Sequence, residues 1–85
     1  MKIERWQISP LKTKKYRVWF KSKDGKLHKV DFGAKGYAQY RDRSPLKAYA
    51  HLDHNDKQRR DRYYARHNIN YPIGSADYMS KKFLW

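Results

Sequence analysis

Two alternating runs, Tyr16–Lys21 and Leu27–Phe32, stand on either side of Asp24-Gly25. Strict alternation places every second side chain on one face of a strand, and Asp-Gly supplies the positive φ that a tight reversal requires. The pattern therefore predicts a β-hairpin. Tyr16, Val18 and Phe20 share one face with His28, Val30 and Phe32. Arg17, Trp19, Lys21 and Lys29 fall on the other. Any fold of this chain must cover the first face and leave the second free or partnered.

The rest of the chain has to supply that cover from very little. At 85 residues it fits one domain, and so short a chain buries a small core. Aromatic residues make up 16% of it, eight of them tyrosine. Their large side chains let a small core bury more area per residue. They also argue against full disorder, despite a mean hydropathy of −1.23.

Downstream, Ser44-Pro45 reads as an N-cap followed by proline in a first helical turn, predicting a short helix over Pro45–His51. A clearer helix is expected over Asp56–His67, with Asn55 as N-cap, Gln58 completing a capping box and Asn68 as a left-handed stop. Ser75 is expected to cap a last short helix on which Met79 and Phe83, one turn apart, face inward. Upstream, residues 1–15 are basic, are interrupted by Pro10 and read as an N-terminal arm, within which Leu11–Lys15 is a mobile arm or an edge strand. The expected fold class is thus a small single α+β domain over residues 16–85: a hairpin, then two or three short helices, preceded by a basic N-terminal arm.

Charge decides the class of partner. Lys and Arg number 21 against eight Asp and Glu, a formal net charge of +13. Such an excess says nothing of fold and much about partners. A pI near 10.1 is the footprint of a phosphate binder. With no cysteine, disulfides, thiolate metal sites and cysteine nucleophiles are excluded. No apolar run reaches the roughly 20 residues of a membrane span, and Glu4-Arg5 stands where a signal peptide would be apolar, so neither is expected. The serines lack a nucleophile-elbow context and the four glycines form no phosphate loop. The chain therefore reads as non-enzymatic.

The residues expected to contact nucleic acid are Arg17, Lys21 and Lys29 on the hairpin, with Trp19 among them, and Arg59, Arg62 and Arg66 on the helix. The three arginines share one helix face, and a guanidinium forks onto phosphate oxygens. Interleaved Trp and Tyr could stack on unpaired bases, at about 1–3 kcal/mol per base. Without any base-reading signature, most contacts should go to the backbone of DNA, with duplex favoured over single strand, and no cofactor is expected. His51, Asp53, His54 and His67 are of metal-ligand type, and a hairpin followed by Asp-His and a helix loosely evokes a metal-dependent nuclease. The apolar tail Phe83-Leu84-Trp85 either closes the core or anchors the chain to another protein.

A set of residues in fixed order carries a family resemblance. It comprises Lys15-Tyr16 before Asp24-Gly25, Phe32-Gly33, Gly36-Tyr37, Tyr40 and His51-Leu52-Asp53-His54. Arg59-Arg60, Tyr63 or Tyr64, Arg66-His67, Ser75 and Phe83-Leu84-Trp85 follow. Over Tyr16–Trp85 this resembles small basic domains of unassigned function found in large DNA viruses of algae and protists and in some phages. The resemblance implies a virion component packaged with the genome, present in the host cytoplasm or nucleus during infection; the alternative, a minor cementing protein of a capsid, comes from the apolar tail Phe83-Leu84-Trp85. It implies no catalytic residue. Arg41–Ala50 is longer here than in the shorter members of that group.

Overall fold

The hairpin forms where the alternation predicts it. In the computed structural model, which describes residues 1–85, Lys14–Lys21 (β2) pairs antiparallel with Leu27–Ala34 (β3). Tyr16 lies opposite Phe32, Val18 opposite Val30 and Phe20 opposite His28. Gly25 turns the chain at φ +81°, a conformation that costs a residue without Cβ little.

The N-terminal residues are a strand and not a free arm. Lys2–Ile8 (β1) pairs antiparallel with β2, giving a three-stranded sheet in the order β1-β2-β3. A bulge between Ile3 and Arg5 explains why this strand is hard to read. Plain alternation puts Ile3 and Trp6 on opposite faces. The extra residue resets the phase, so both pack against the core while Arg5 points outward beside Trp19. Bulge and charges also protect this sheet edge from further pairing.

The middle of the chain departs most from expectation. The helix predicted over Pro45–His51 is absent, and only a 3-10 turn at Ala50–Leu52 forms. A helix needs its backbone N–H groups directed to carbonyls four residues back. Here side chains take them instead. Ser44 Oγ does accept from Lys47 N at 3.2 Å, as an N-cap would, but the Tyr16 hydroxyl takes Ala48 N at 3.0 Å and Asp42 takes Tyr49 N at 3.1 Å, the two amides that a helix would bond to the carbonyls of residues 44 and 45. Lys47 turns left-handed at φ +52°.

Two α-helices follow, Lys57–Arg66 (α1) and Ala76–Phe83 (α2). The cap of α1 is Asp56, one residue beyond the expected Asn55. Its carboxylate accepts from Gln58 N and Arg59 N at 2.9 and 3.3 Å, and its charge complements the helix dipole. Asn55 instead takes a left-handed turn at φ +54°. Asn68 has no positive φ; α1 ends at His67, whose carbonyl accepts from Lys81 Nζ at 3.0 Å. Ser75 caps α2 as expected, accepting from Tyr78 N at 3.2 Å.

The molecule is thus a small α+β domain whose core lies between the sheet and α2. Tyr16, Val18, Phe20, Phe32, Met79 and Leu84 form its buried centre. Trp6 meets Tyr16, Phe32 and Phe83 edge-on at 5.9, 6.0 and 4.8 Å, a geometry that aligns ring edge with ring face. The final residues close this core. Leu84 is 2% exposed, and its δ-methyl lies so near Gly33 that a Cβ there would come within 2.9 Å. No helix is long and apolar enough to cross a membrane.

Candidate nucleic-acid interface

Three of the eight acids, Asp31, Asp42 and Asp53, are buried or half-buried and hydrogen-bonded; Glu4, Asp24, Asp56, Asp61 and Asp77 are exposed. Asp31 is forked by Arg17 at 3.0 and 3.1 Å and receives Ser9 Oγ at 2.6 Å. Burial pushes its carboxyl up, but these bonds and the guanidinium charge outweigh that and leave it below the usual carboxylate range. Asp42 is held low in the same way, burial being overcome by the hydrogen bonds from Ser44 and Tyr16 and from the Ser44 and Tyr49 amides. Asp53 accepts from Gln39 Nε2 and Asp42 N at 2.7 and 2.8 Å. Asp56 caps α1, and Asp24 accepts from Ser22 Oγ and Lys26 N in the hairpin turn.

Most cations have no such partner. Only Arg17 with Asp31 and Lys26 with Asp24 make ion pairs among the 21 Lys and Arg. Lys15 is one exception to exposure. Just 2% exposed, it donates to the Tyr37 carbonyl at 2.7 Å and to Gln39 Oε1. Burial lowers its pKa against the opposing pull of Asp42 and Asp53.

The expected contact residues fall on two separate surfaces. Arg59, Arg62 and Arg66 are all exposed on α1. Arg59 and Arg66 border a groove of about 400 Å³ that also has Lys14, Lys15, Tyr37, Tyr63 and Trp85 in its walls; Arg62 stands outside it. Tyr63 stacks between Trp85 (4.4 Å, 2° between planes) and His67 (4.2 Å, 21°), a ring column that ties α1 to the body. Arg60 has an internal role: it donates to the Trp85 carbonyl at 2.9 Å and lies 5.0 Å over both Tyr40 and Tyr64.

Trp19, Lys21 and Lys29 occupy the sheet face turned away from α2, with Lys29 Nζ 5.8 Å from the Trp19 ring. Arg17 shares this face, but its guanidinium is committed to Asp31. Sequence reasoning missed Lys2 and Arg5, which β1 adds beside Lys21 and Trp19. The Ile3-Trp6 spacing, read as an interrupted alternation, is the signal that would have found them.

The metal-ligand candidates do not converge. No three His, Asp or Glu side chains are grouped to hold an ion. Asp53 organises the loop, His54 Nδ1 accepts from Asp56 N at 2.9 Å, and His67 Nδ1 is 2.6 Å from the Tyr71 hydroxyl. Burial, with the Arg59 charge, lowers the His54 pKa. His51 leans against Tyr49 at 6.2 Å. Of the expected protein anchors, Leu84 is sealed in the core while Phe83 and Trp85 are half-buried against it.

Residues 5–45 match the model of a family described as of unknown function (DUF5754). The match begins within β1 at Arg5, covers β2, β3 and the loop up to Pro45, and stops short of both helices. No curated protein and no solved structure matches the chain.

Proposed function

We propose that this chain is a non-enzymatic protein that binds the phosphate backbone of DNA without reading its sequence, in the service of compacting or packaging a viral genome. One observation carries the reading. Nearly all of its 21 cations lack a carboxylate partner, while five of its eight acids are engaged by turns, caps and buried hydroxyls. Net charge aids solubility, but +13 on 85 residues costs the compact state stability through self-repulsion, a cost that a polyanionic partner offsets. Arg59, Arg62 and Arg66, on an exposed helix beside the Lys14 rim of the groove, are the residues assigned to duplex phosphates. Each phosphate contact releases counterions, so the logarithm of affinity should fall linearly with the logarithm of salt.

Titrating duplex DNA at several salt concentrations tests this. The triple change to alanine at Arg59, Arg62 and Arg66 should flatten the salt slope by roughly 2–3, about 0.9 per lost contact. Weak binding with no salt slope in the unaltered protein would remove the proposal.

A second reading, a minor structural protein bound to other virion proteins, draws on a different surface from the buried tail. Ile69 and Ile73 are 60% and 71% exposed and border a cleft of about 500 Å³ with Tyr64, Tyr71 and Tyr78. Exposed apolar patches of this kind mark protein contacts. If Ile73→Asp leaves DNA binding intact but abolishes co-sedimentation with capsids, that reading gains; unchanged co-sedimentation counts against it.

A further inference from the structure

The outer face of the sheet carries three cross-strand rows: Lys2–Lys21–Leu27, Arg5–Trp19–Lys29 and Gln7–Arg17–Asp31. The last row is internally satisfied. Arg17 is forked onto Asp31, and Gln7 Oε1 accepts the indole N–H of Trp19 at 2.9 Å. That bond fixes the plane of the ring. The other two rows place four cations without carboxylate partners around one half-buried indole. Beside the ring lies an open notch of about 320 Å³, walled by Trp19, Leu27, Arg5 and Glu4. Leu27 is 56% exposed there.

We propose that this face is a stacking platform for single-stranded nucleic acid: one unpaired base enters the notch against Trp19 and Leu27, and Lys2, Arg5, Lys21 and Lys29 hold the phosphates on either side. A duplex keeps its base faces covered, so a recessed ring can engage only a strand whose bases are free. The ring is preorganised by Gln7, so less order is lost on binding. Glu4 at the rim repels phosphate from the notch itself and offers an acceptor to the amino groups of a base. Stacking of this kind tolerates any sequence, since every base has a π-face. The proposal rests on the nucleic-acid reading above; it moves Trp19, Lys21 and Lys29 from the duplex contacts expected of the sequence to a single strand, and it uses none of the α1 arginines.

The test compares oligothymidylate, an abasic strand of equal length and a duplex, each titrated against the unaltered protein, Trp19→Leu, Trp19→Phe and the Arg59, Arg62, Arg66 triple variant. The unaltered protein should prefer oligothymidylate to the abasic strand. Trp19→Leu should bind oligothymidylate about 5–150-fold more weakly, the range of one lost base stack, with unchanged affinity for the abasic strand and the duplex. Trp19→Phe keeps a ring and should retain most of the preference, which separates stacking from damage to the sheet. The triple variant should lose duplex affinity and keep the preference. Equal loss by Trp19→Leu on all three ligands, or none on any, overturns the platform. Steeply salt-dependent duplex binding with no preference for bases over abasic sugar removes the platform alone. No binding to any strand removes the wider reading with it.

Discussion

Helices α1 and α2 are both short and both capped by a side-chain oxygen, yet they are held in different ways. Helix α2 lies on the sheet and sends Met79, 0% exposed, into the core beside Leu84. Helix α1 buries only Tyr63. It is held through the ring column with Trp85 and His67, the Arg60 bond to the Trp85 carbonyl and the Lys81 bond to the His67 carbonyl. Broad apolar packing uses up a helix surface, whereas a few stacked rings and directional bonds leave most of it free. The helix with the larger load of arginines is the one with the smaller footprint.

Breaking each attachment should show this difference. The largest effect is expected from Met79→Ala, which empties a fully enclosed site and should cost about 3–4 kcal/mol of global stability in denaturant titrations. Tyr63→Ala removes the middle ring of the column and should cost less, about 2 kcal/mol, because that site adjoins the groove and can relax. Hydrogen exchange sharpens the contrast. In the Tyr63 variant, amides of residues 57–66 should lose protection while the sheet keeps it; a uniform loss across the molecule would mean that α1 and the core are one cooperative unit.

Alkaline titration probes both regions at once. Burial raises Tyr63 to about 12, with the Tyr71 and Asp77 charges adding to it, and burial together with the bond to Asp42 raises Tyr16 to about 12. Between pH 10, where an unfolded tyrosine ionises, and about 12, the unfolded chain has released protons that the folded chain retains. Stability is therefore fully present below 10 and falls as the pH rises through this window. Lys15, with its lowered pKa, acts in the opposite sense only below its ordinary 10.5. Thermal midpoints followed by circular dichroism should drop across the window, and Tyr63→Phe should make the drop shallower. An unchanged slope would mean that the Tyr63 phenol is more open to water than its 8% exposure indicates.

The sheet and helices were legible where local chemistry acts alone. Alternation around Asp24-Gly25 located the hairpin, and Ser75 located α2, because turn and cap preferences are decided within a few residues. The middle loop was not, since its conformation is set at a distance. Tyr16 and Lys15, on β2, reach Asp42 and Gln39 through bonds that span more than twenty positions, and the Tyr16 hydroxyl and Asp42 then withdraw the Ala48 and Tyr49 amides a Pro45 helix would need. The site was half legible for the same reason. The helical arginines share a face by periodicity, while Arg5 joins Trp19 only after a bulge that alternation conceals. Arg17 looked as available as Lys21 until the register put Asp31 across from it.

The smallest effect on stability should come from the change to which the proposed DNA binding assigns its largest loss. Arg59, Arg62 and Arg66 are exposed, and none donates a hydrogen bond or pairs with a carboxylate through its side chain. Replacing all three by alanine removes about three positive charges from a body carrying +13. It also installs the residue of highest helix propensity on a solvent-facing surface. Both effects favour the folded state slightly, so the triple variant should lie within about 0.5 kcal/mol of the unaltered protein, on the stabilised side. Denaturant midpoints at low and high salt check the cause: self-repulsion is screened by salt, so any gain should shrink as ionic strength rises. A variant destabilised by about 1 kcal/mol or more would make these arginines part of the attachment of α1, and would remove the distinction between a helix held by its rings and a helix face kept free for phosphate.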